Sequence, residues 1–444
     1  FNIANASVTV AGIRFSPTVN VNYGIYVSSP YVTVSSVSVL DPMSMIDKAG
    51  IALSSWTTVS YSSVSVSEFS ASALWLQGST MTTVSYSTAA NNSPGRAALF
   101  LDGASSNTIT GVVATNQAAG ACNAVRIENS SYNNISQSSF TAQFGGCSAF
   151  RVYSSSFNTL TQSYLSGGFS GVELNGSASN AISLSTVIAS AASSRALYLA
   201  GADSNTVTGS YLQSLSGYGA LLDAGADYNT ISQSSMVSNG GGMFALYLTG
   251  SDGNTVADSY ISNAVGDGAV LNTGADHNTI SQSTITVVFA NTRALTIIDA
   301  DSNTVTASYI ASKAGDGAYV TTGADCNTIS QSTMVSNGTS FRALYLLGAS
   351  STTITGSYIT SPAGEGATLN GANANTISLS TMIGATYGLY VLGSDSNTVT
   401  QSYMWGGLNG ARLETGADYN AISLSTMAGT FNGLYAVAAT SNIV

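Results

Sequence analysis

Asn229-Thr230-Ile231-Ser232-Gln233-Ser234-Ser235-Met236 holds the pattern that decides the fold. An asparagine opens a short β-branched alternation, a serine follows five positions on, and an apolar residue seven positions on. The tetrad Asn-Thr-Ile/Val-Ser/Thr, with occasional replacements, starts at Asn107, Asn133, Asn158, Asn180, Asn205, Asn229, Asn254, Asn278, Asn303, Asn327, Asn375, Asn397, Asn420 and Asn442, and Thr352 fills the one gap. From Asn107 to Asn442 is 335 residues in 14 steps, about 24 per step. A period this short and steady marks a solenoid, in which each repeat buries its apolar face only against its neighbours.

With the asparagine as position zero, position +2 is apolar in every repeat, from Ile109 and Ile135 to Ile422 and Val444. Position +7 is apolar as well, from Phe140 and Leu165 to Met404 and Met427. Threonines and serines alternate with these, the period-2 pattern of strands with one buried face, and no helical period appears. Short strands between Gly, Asn, Asp and Ser turns describe a coil whose strands pair one turn above and below, ~4.8 Å away. Position +5 is serine in thirteen consecutive repeats, Ser138 to Ser425, which predicts a stacked hydroxyl ladder at a bend.

The run Asn229–Met236 resembles the repeat of right-handed parallel β-helix proteins, the pectin-lyase-like superfold. The resemblance covers residues 100–444 well. It is looser over 1–99, where Val8, Val34, Val59 and Val84 keep the spacing without the asparagine. It implies an all-β, single-stranded right-handed parallel β-helix of about 18 coils of about 24 residues. The expected organisation is irregular N-terminal coils over 1–99 and regular repeats over 100–444, one continuous solenoid. The superfold hosts lyases, hydrolases, tailspikes, adhesins and non-enzymatic repeats, so it says little about activity.

Only 7% of residues are charged, against roughly 25% in ordinary soluble chains. The net charge of −11 argues against nucleic acid or an anionic membrane as partner. No stretch approaches the ~20 apolar residues of a membrane span. The start at Phe1, without methionine or leader, reads as a mature secreted or surface segment, or as a boundary chosen for expression. Cys122 and Cys147 lie 25 residues apart, one repeat, and are either a bridge or two buried small residues.

Coils alternate between a tyrosine-rich and a plainer type. Tyr164, Tyr211, Tyr260, Tyr309, Tyr358 and Tyr403 are expected to line one outward face. Tyr153, Tyr198, Tyr247, Tyr345, Tyr390 and Tyr435 are expected to line another. These rows are either cross-strand packing or a surface for glycans or for neighbouring fibres. Asp203, Asp227, Asp252, Asp276, Asp301 and Asp325 stack at position −2, as turn caps or as a weak calcium column. Asp267, Arg293, Asp316, Arg342 and Glu365 read as a surface salt-bridge ladder. The cluster that departs from the repeat is Arg126, Glu128, Arg151 and Glu173: two stacked arginines repel unless the glutamates or an anionic ligand compensate. Lyases of the superfold use an arginine beside calcium-binding acids, and only the residue types match. His277, the lone histidine, sits at a variable turn position.

The expected function is a structural or adhesive extracellular rod, without catalytic residues, cofactor or metal, that self-associates end to end or laterally and contacts surface glycans. The pattern stops inside a tetrad at Val444 with no capping helix, as in a piece of a longer solenoid or a unit that stacks on copies of itself. A polysaccharide-binding or polysaccharide-cleaving β-helix is the first alternative. An ice- or mineral-binding solenoid is the second, suggested by Thr206/Thr208, Thr304/Thr306 and Thr398/Thr400.

Overall fold

The structure is a computed structural model that describes residues 1–120 and 122–444. The described residues form strands and no helix, in two units, Phe1–Gly217 and Tyr218–Val444. Each unit holds nine coils, so the chain has 18, and each coil lays down strands in three parallel sheets. One coil of the N-terminal unit runs through Arg195–Ala200 in the first sheet, Thr206–Thr208 in the second and Tyr211–Ser214 in the third. One coil of the C-terminal unit runs through Arg342–Leu347, Thr353–Thr355 and Tyr358–Ser361.

The tetrad is the second-sheet strand, and its register is one repeat per coil. Ile109 pairs with Ile135, then Leu160, Ile182 and Val207 in the N-terminal unit. Ile231, Val256, Ile280 and Val305 do the same in the other. All are buried, stacked like on like, so each coil covers the apolar side chains of the one before. The N-terminal coils obey this too, with one correction. Val10, not Val8, pairs with Val34, and Val8 takes the place of the asparagine. Val32, Thr57 and Thr82 fill that place in the following coils.

Three-residue strands are possible because a left-handed residue bends the chain at both ends. Tyr132 (φ 60°) precedes Asn133, and Gln137 (φ 51°) precedes Ser138. Each bend turns a buried N–H away from the strand ladder, where it would be costly to leave unpaired. Side chains of the next coil cap these groups. Asn107 N–H donates to Asn133 Oδ1 (3.0 Å), Asn133 to Asn158 (3.0 Å) and Asn158 to Asn180 (2.9 Å). The amide groups donate in turn to carbonyls of the preceding coil, as Asn133 Nδ2 does to Ala104 O at 2.9 Å. At the other bend Ser138 N–H donates to Ser163 Oγ (3.2 Å), and Ser163 Oγ donates to Thr161 O (2.9 Å). Both columns are therefore hydrogen-bonding scaffold. Cys122 and Cys147 are bonded in a disulfide that ties adjacent coils, which decides between the two readings of that pair.

Candidate functional site

The chain has eight arginines, and all but Arg14 lie in first-sheet strands or within three residues before them. In a sequence so poor in charge, that makes the outward face of the first sheet chemically distinct. Its central column in the N-terminal unit reads Trp75, Phe100, Arg126, Arg151, Glu173, Tyr198 on successive coils. Alternation places these side chains outward while Phe150, Val152, Val172 and Leu174 enter the core.

The structure brings Arg126, Glu128, Arg151 and Glu173 together. Arg126 Nη2 meets Glu128 Oε2, two residues along its own strand, at 2.8 Å. Arg151 Nε lies 3.2 Å from Glu173 Oε1 on the next coil. Glu173 is only 7% exposed, and its other oxygen accepts from Ser148 Oγ at 2.9 Å. Each stacked arginine thus has its own carboxylate, which relieves the repulsion that spacing of ~4.8 Å would impose. Aromatic faces supply the rest: Arg126 lies 5.5 Å from the Phe100 ring, Arg96 4.9 Å from Trp75, and Arg195 4.6 Å from Phe169.

Loops between the third and first sheets rim this column and leave a cleft of about 250 Å³ lined by Cys122, Asn123, Arg126, Ser148, Arg151, Phe169 and Glu173. A second cleft, about 320 Å³, lies beside Arg96, Phe100, Asp102, Arg126 and Glu128. The two share Gly95 and Arg126. Gly95 has φ 107°, and a Cβ there would stand 2.7 Å from Phe69 O, so the rim is closed to other residues. With Arg96, Arg126, Arg151 and Arg195 against Asp102, Glu128 and Glu173, the region is net +1 on a chain of −11. Cations, carboxylates, a hydroxyl and flat aromatic faces in one open cleft suit the polar edges and apolar faces of sugars.

Trp75, Arg96, Phe100, Phe169 and Arg195 join the site without a motif in the sequence that marks them. Trp75 and Phe100 carry the one-coil spacing as a signal, but both precede the first asparagine tetrad at Asn107; Arg96 and Phe169 lie in connections before first-sheet strands, and Arg195 opens one. Tyr153 requires a correction: it pairs with Glu128, two residues off the column of Tyr198. The remaining first-sheet tyrosines, Tyr247, Tyr345, Tyr390 and Tyr435, share one column of the C-terminal unit with Tyr319 and Arg412. Several of this row are covered by guanidinium groups: Arg195 lies 4.4 Å from Tyr198, Arg342 4.5 Å from Tyr345 and Arg412 5.4 Å from Tyr435. Arg412 also makes a bidentate pair with Glu414, both contacts at 2.9 Å, and Tyr390 donates to the same carboxylate at 2.8 Å. Burial, then Glu414, pushes the Tyr390 phenol up to about 12.

The charge ladder is not the exposed feature expected. Asp316 is 5% exposed, 4.0 Å from both Arg293 and Arg342, and caps Arg342 N–H at 2.9 Å. Burial raises the Asp316 carboxyl, and that of Asp267, above the ordinary value, against the pull of the neighbouring arginines. In the position −2 column, Asp227 accepts from Asp252 N–H (2.7 Å), Asp252 from Asp276 (2.8 Å), Asp276 from Asp301 (2.6 Å) and Asp301 from Asp325 (2.7 Å). Asp203 holds the same position, two residues before Asn205, in the N-terminal unit. The outward third-sheet row is exposed, Tyr164 by 44%, Tyr211 by 39%, Tyr260 by 44%, Tyr309 by 43%, Tyr358 by 45% and Tyr403 by 40%.

A family profile described as right handed beta helix region matches residues 195–345. A second, described as periplasmic copper-binding protein (NosD), matches residues 96–242. The donors there do not suit copper: the only histidine is His277, outside the match, and Cys122 and Cys147 are bonded to each other. No curated protein matches the chain by sequence. Among solved structures, the cryo-EM structure of the Vag8–C1 inhibitor complex is similar at 13% identity, covering 100% of this chain and 96% of that one, with a TM-score of 0.54. The Dettilon tailspike protein is similar at 13% identity over 80% of this chain, which spans 62% of the tailspike's length, with a TM-score of 0.42. The A-module of an Azotobacter vinelandii mannuronan C-5 epimerase is similar at 12% identity over 86% of this chain and 90% of that one, with a TM-score of 0.32. The expectation of a non-enzyme is corrected: the right-handed parallel β-helix is shared by enzymes and non-enzymes, so the fold does not support that expectation.

Proposed function

We propose that this chain, a right-handed parallel β-helix repeat protein, binds polysaccharide on the outward face of its first sheet. Carboxylate-bearing sugars would sit at Arg126 and Arg151. The observation that carries the reading is the convergence of Arg126, Arg151, Glu173 and Phe169 on one cleft. The rod-forming, self-associating role expected from the sequence draws on none of these residues, and polysaccharide binding uses all of them. Guanidinium forks grip carboxylates and paired hydroxyls, the buried Glu173 accepts from a sugar hydroxyl, and Phe169 offers its face to the ring. The inter-coil disulfide supports a setting outside the cytoplasm, extracellular or periplasmic.

The test is calorimetric titration with alginate, polygalacturonate and a neutral glycan, on the full chain and on Arg126→Ala and Arg151→Ala. Each variant is expected to weaken binding of an acidic glycan about tenfold or more. The same incubations, followed for new reducing ends and for unsaturated sugar absorbance, read out cleavage. Absence of binding to every glycan, or variants that bind like the parent, would sink the reading.

A further inference from the structure

The third sheet carries a second feature that the arginine cleft does not use. In the C-terminal unit one outward column reads Tyr260, Thr284, Tyr309, Thr333, Tyr358, Thr381, Tyr403 on seven successive coils. Strands ~4.8 Å apart put the tyrosines ~9.6 Å apart, so the four span ~29 Å along the stack. Tyr260 leans across its neighbour, since its hydroxyl accepts from Thr286 Oγ1 at 3.2 Å, and this lays the ring along the sheet surface. No third-sheet strand of this unit contains Asp, Glu, Lys or Arg. On a chain of net charge −11, such a strip admits a neutral ligand without electrostatic cost and gives an anionic one nothing to pair with.

In the N-terminal unit Tyr164 and Tyr211 hold the same register with Thr186 between them. There Tyr164 edges an open groove of about 520 Å³, lined by Gln137, Gln162, Leu184 and Thr186 without a charged side chain.

We infer that the tyrosine column of the third sheet is a binding track for a neutral, extended β-1,4-linked polysaccharide running parallel to the stack. In such a chain alternate sugars present the same face. The repeat is therefore one disaccharide, whose length the two-coil tyrosine spacing matches. Each tyrosine would stack on every second ring, and the intervening threonines would hydrogen-bond the sugar between.

Retention of the full chain on microcrystalline cellulose and on chitin tests this. The double variant Tyr309→Thr/Tyr358→Thr places in each coil the residue that alternate coils already carry, so the strands keep their native column. It is expected to lower retention about tenfold, whereas Tyr309→Phe/Tyr358→Phe retains it. Arg126→Ala/Arg151→Ala leaves retention unchanged, which separates this track from the acidic-glycan cleft. Parent protein that is retained on neither solid, a threonine variant retained like the parent, or equal retention on the curved α-1,4 chain of amylose would each overturn the inference.

Discussion

Thr352 stands in the asparagine column of the C-terminal unit, between Asn327 and Asn375, and is fully buried. Its N–H donates to Asn375 Oδ1 at 2.8 Å, but its Oγ1 has no hydrogen-bond partner among the described residues. An intact step does more: Asn327 Oδ1 caps Asn303 N–H at 2.8 Å, and Asn327 Nδ2 reaches Ala300 O at 3.0 Å. In Thr352→Asn the new Oδ1 would cap Asn327 N–H and the new Nδ2 would reach Ala324 O. Two buried hydrogen bonds contribute about 1–3 kcal/mol. The lost methyl costs about 0.8 kcal/mol. A net gain of about 0.2–2 kcal/mol is expected. Guanidinium unfolding followed by circular dichroism should show a raised midpoint. Because repeat arrays need not unfold in two states, amide exchange at Asn327 is the sharper readout, and it should slow. A variant with an unchanged midpoint and an unchanged Asn327 exchange rate would refute the account of the column as a set of caps.

Reduction of Cys122–Cys147, which closes a loop of about 25 residues, is expected to cost about 3–4 kcal/mol and to loosen the cleft wall, measured as a lower melting temperature together with weaker acidic-glycan binding. Asp316→Asn retains an acceptor for Arg342 N–H and removes the ionisation. Because burial holds the folded carboxyl above its ordinary 3.8, the native state binds more protons than the unfolded one, and stability falls as pH rises through that window. The variant should flatten this decline from about pH 4 upward; a urea-midpoint profile parallel to the parent's would contradict the burial argument. Gly95→Ala is expected to destabilise the N-terminal unit by about 1–3 kcal/mol and to weaken glycan binding, through its positive φ and the close Phe69 carbonyl.

Much of the scaffold was legible because stacking forces like residues into register at a fixed interval. The inward Ile109–Val207 column, the serine ladder and the asparagine caps all follow from one period and from the need to satisfy buried N–H groups at each bend. The candidate cleft was half legible. Arg126, Arg151 and Glu173 stood out as departures from the repeat, but Trp75 and Arg96 precede the first tetrad at Asn107, and Phe169 lies in the connection between the strands Tyr164–Gly167 and Ser170–Asn175. Spacing alone does not say which residue of a six-residue strand faces its neighbour, so Tyr153 lies two residues off the column of Tyr198.

The sequence by itself determined the parallel coil, its period and which side chains point inward, since these depend only on alternation and repeat length. Tertiary structure decided the rest. Loop lengths set how deep the cleft is, coil packing buries Asp316 and Glu173 while leaving the third-sheet tyrosines open, and approach of adjacent coils bonds Cys122 to Cys147. Each of these depends on the path of non-repeating loops across the stack, which a column of identical residues cannot record.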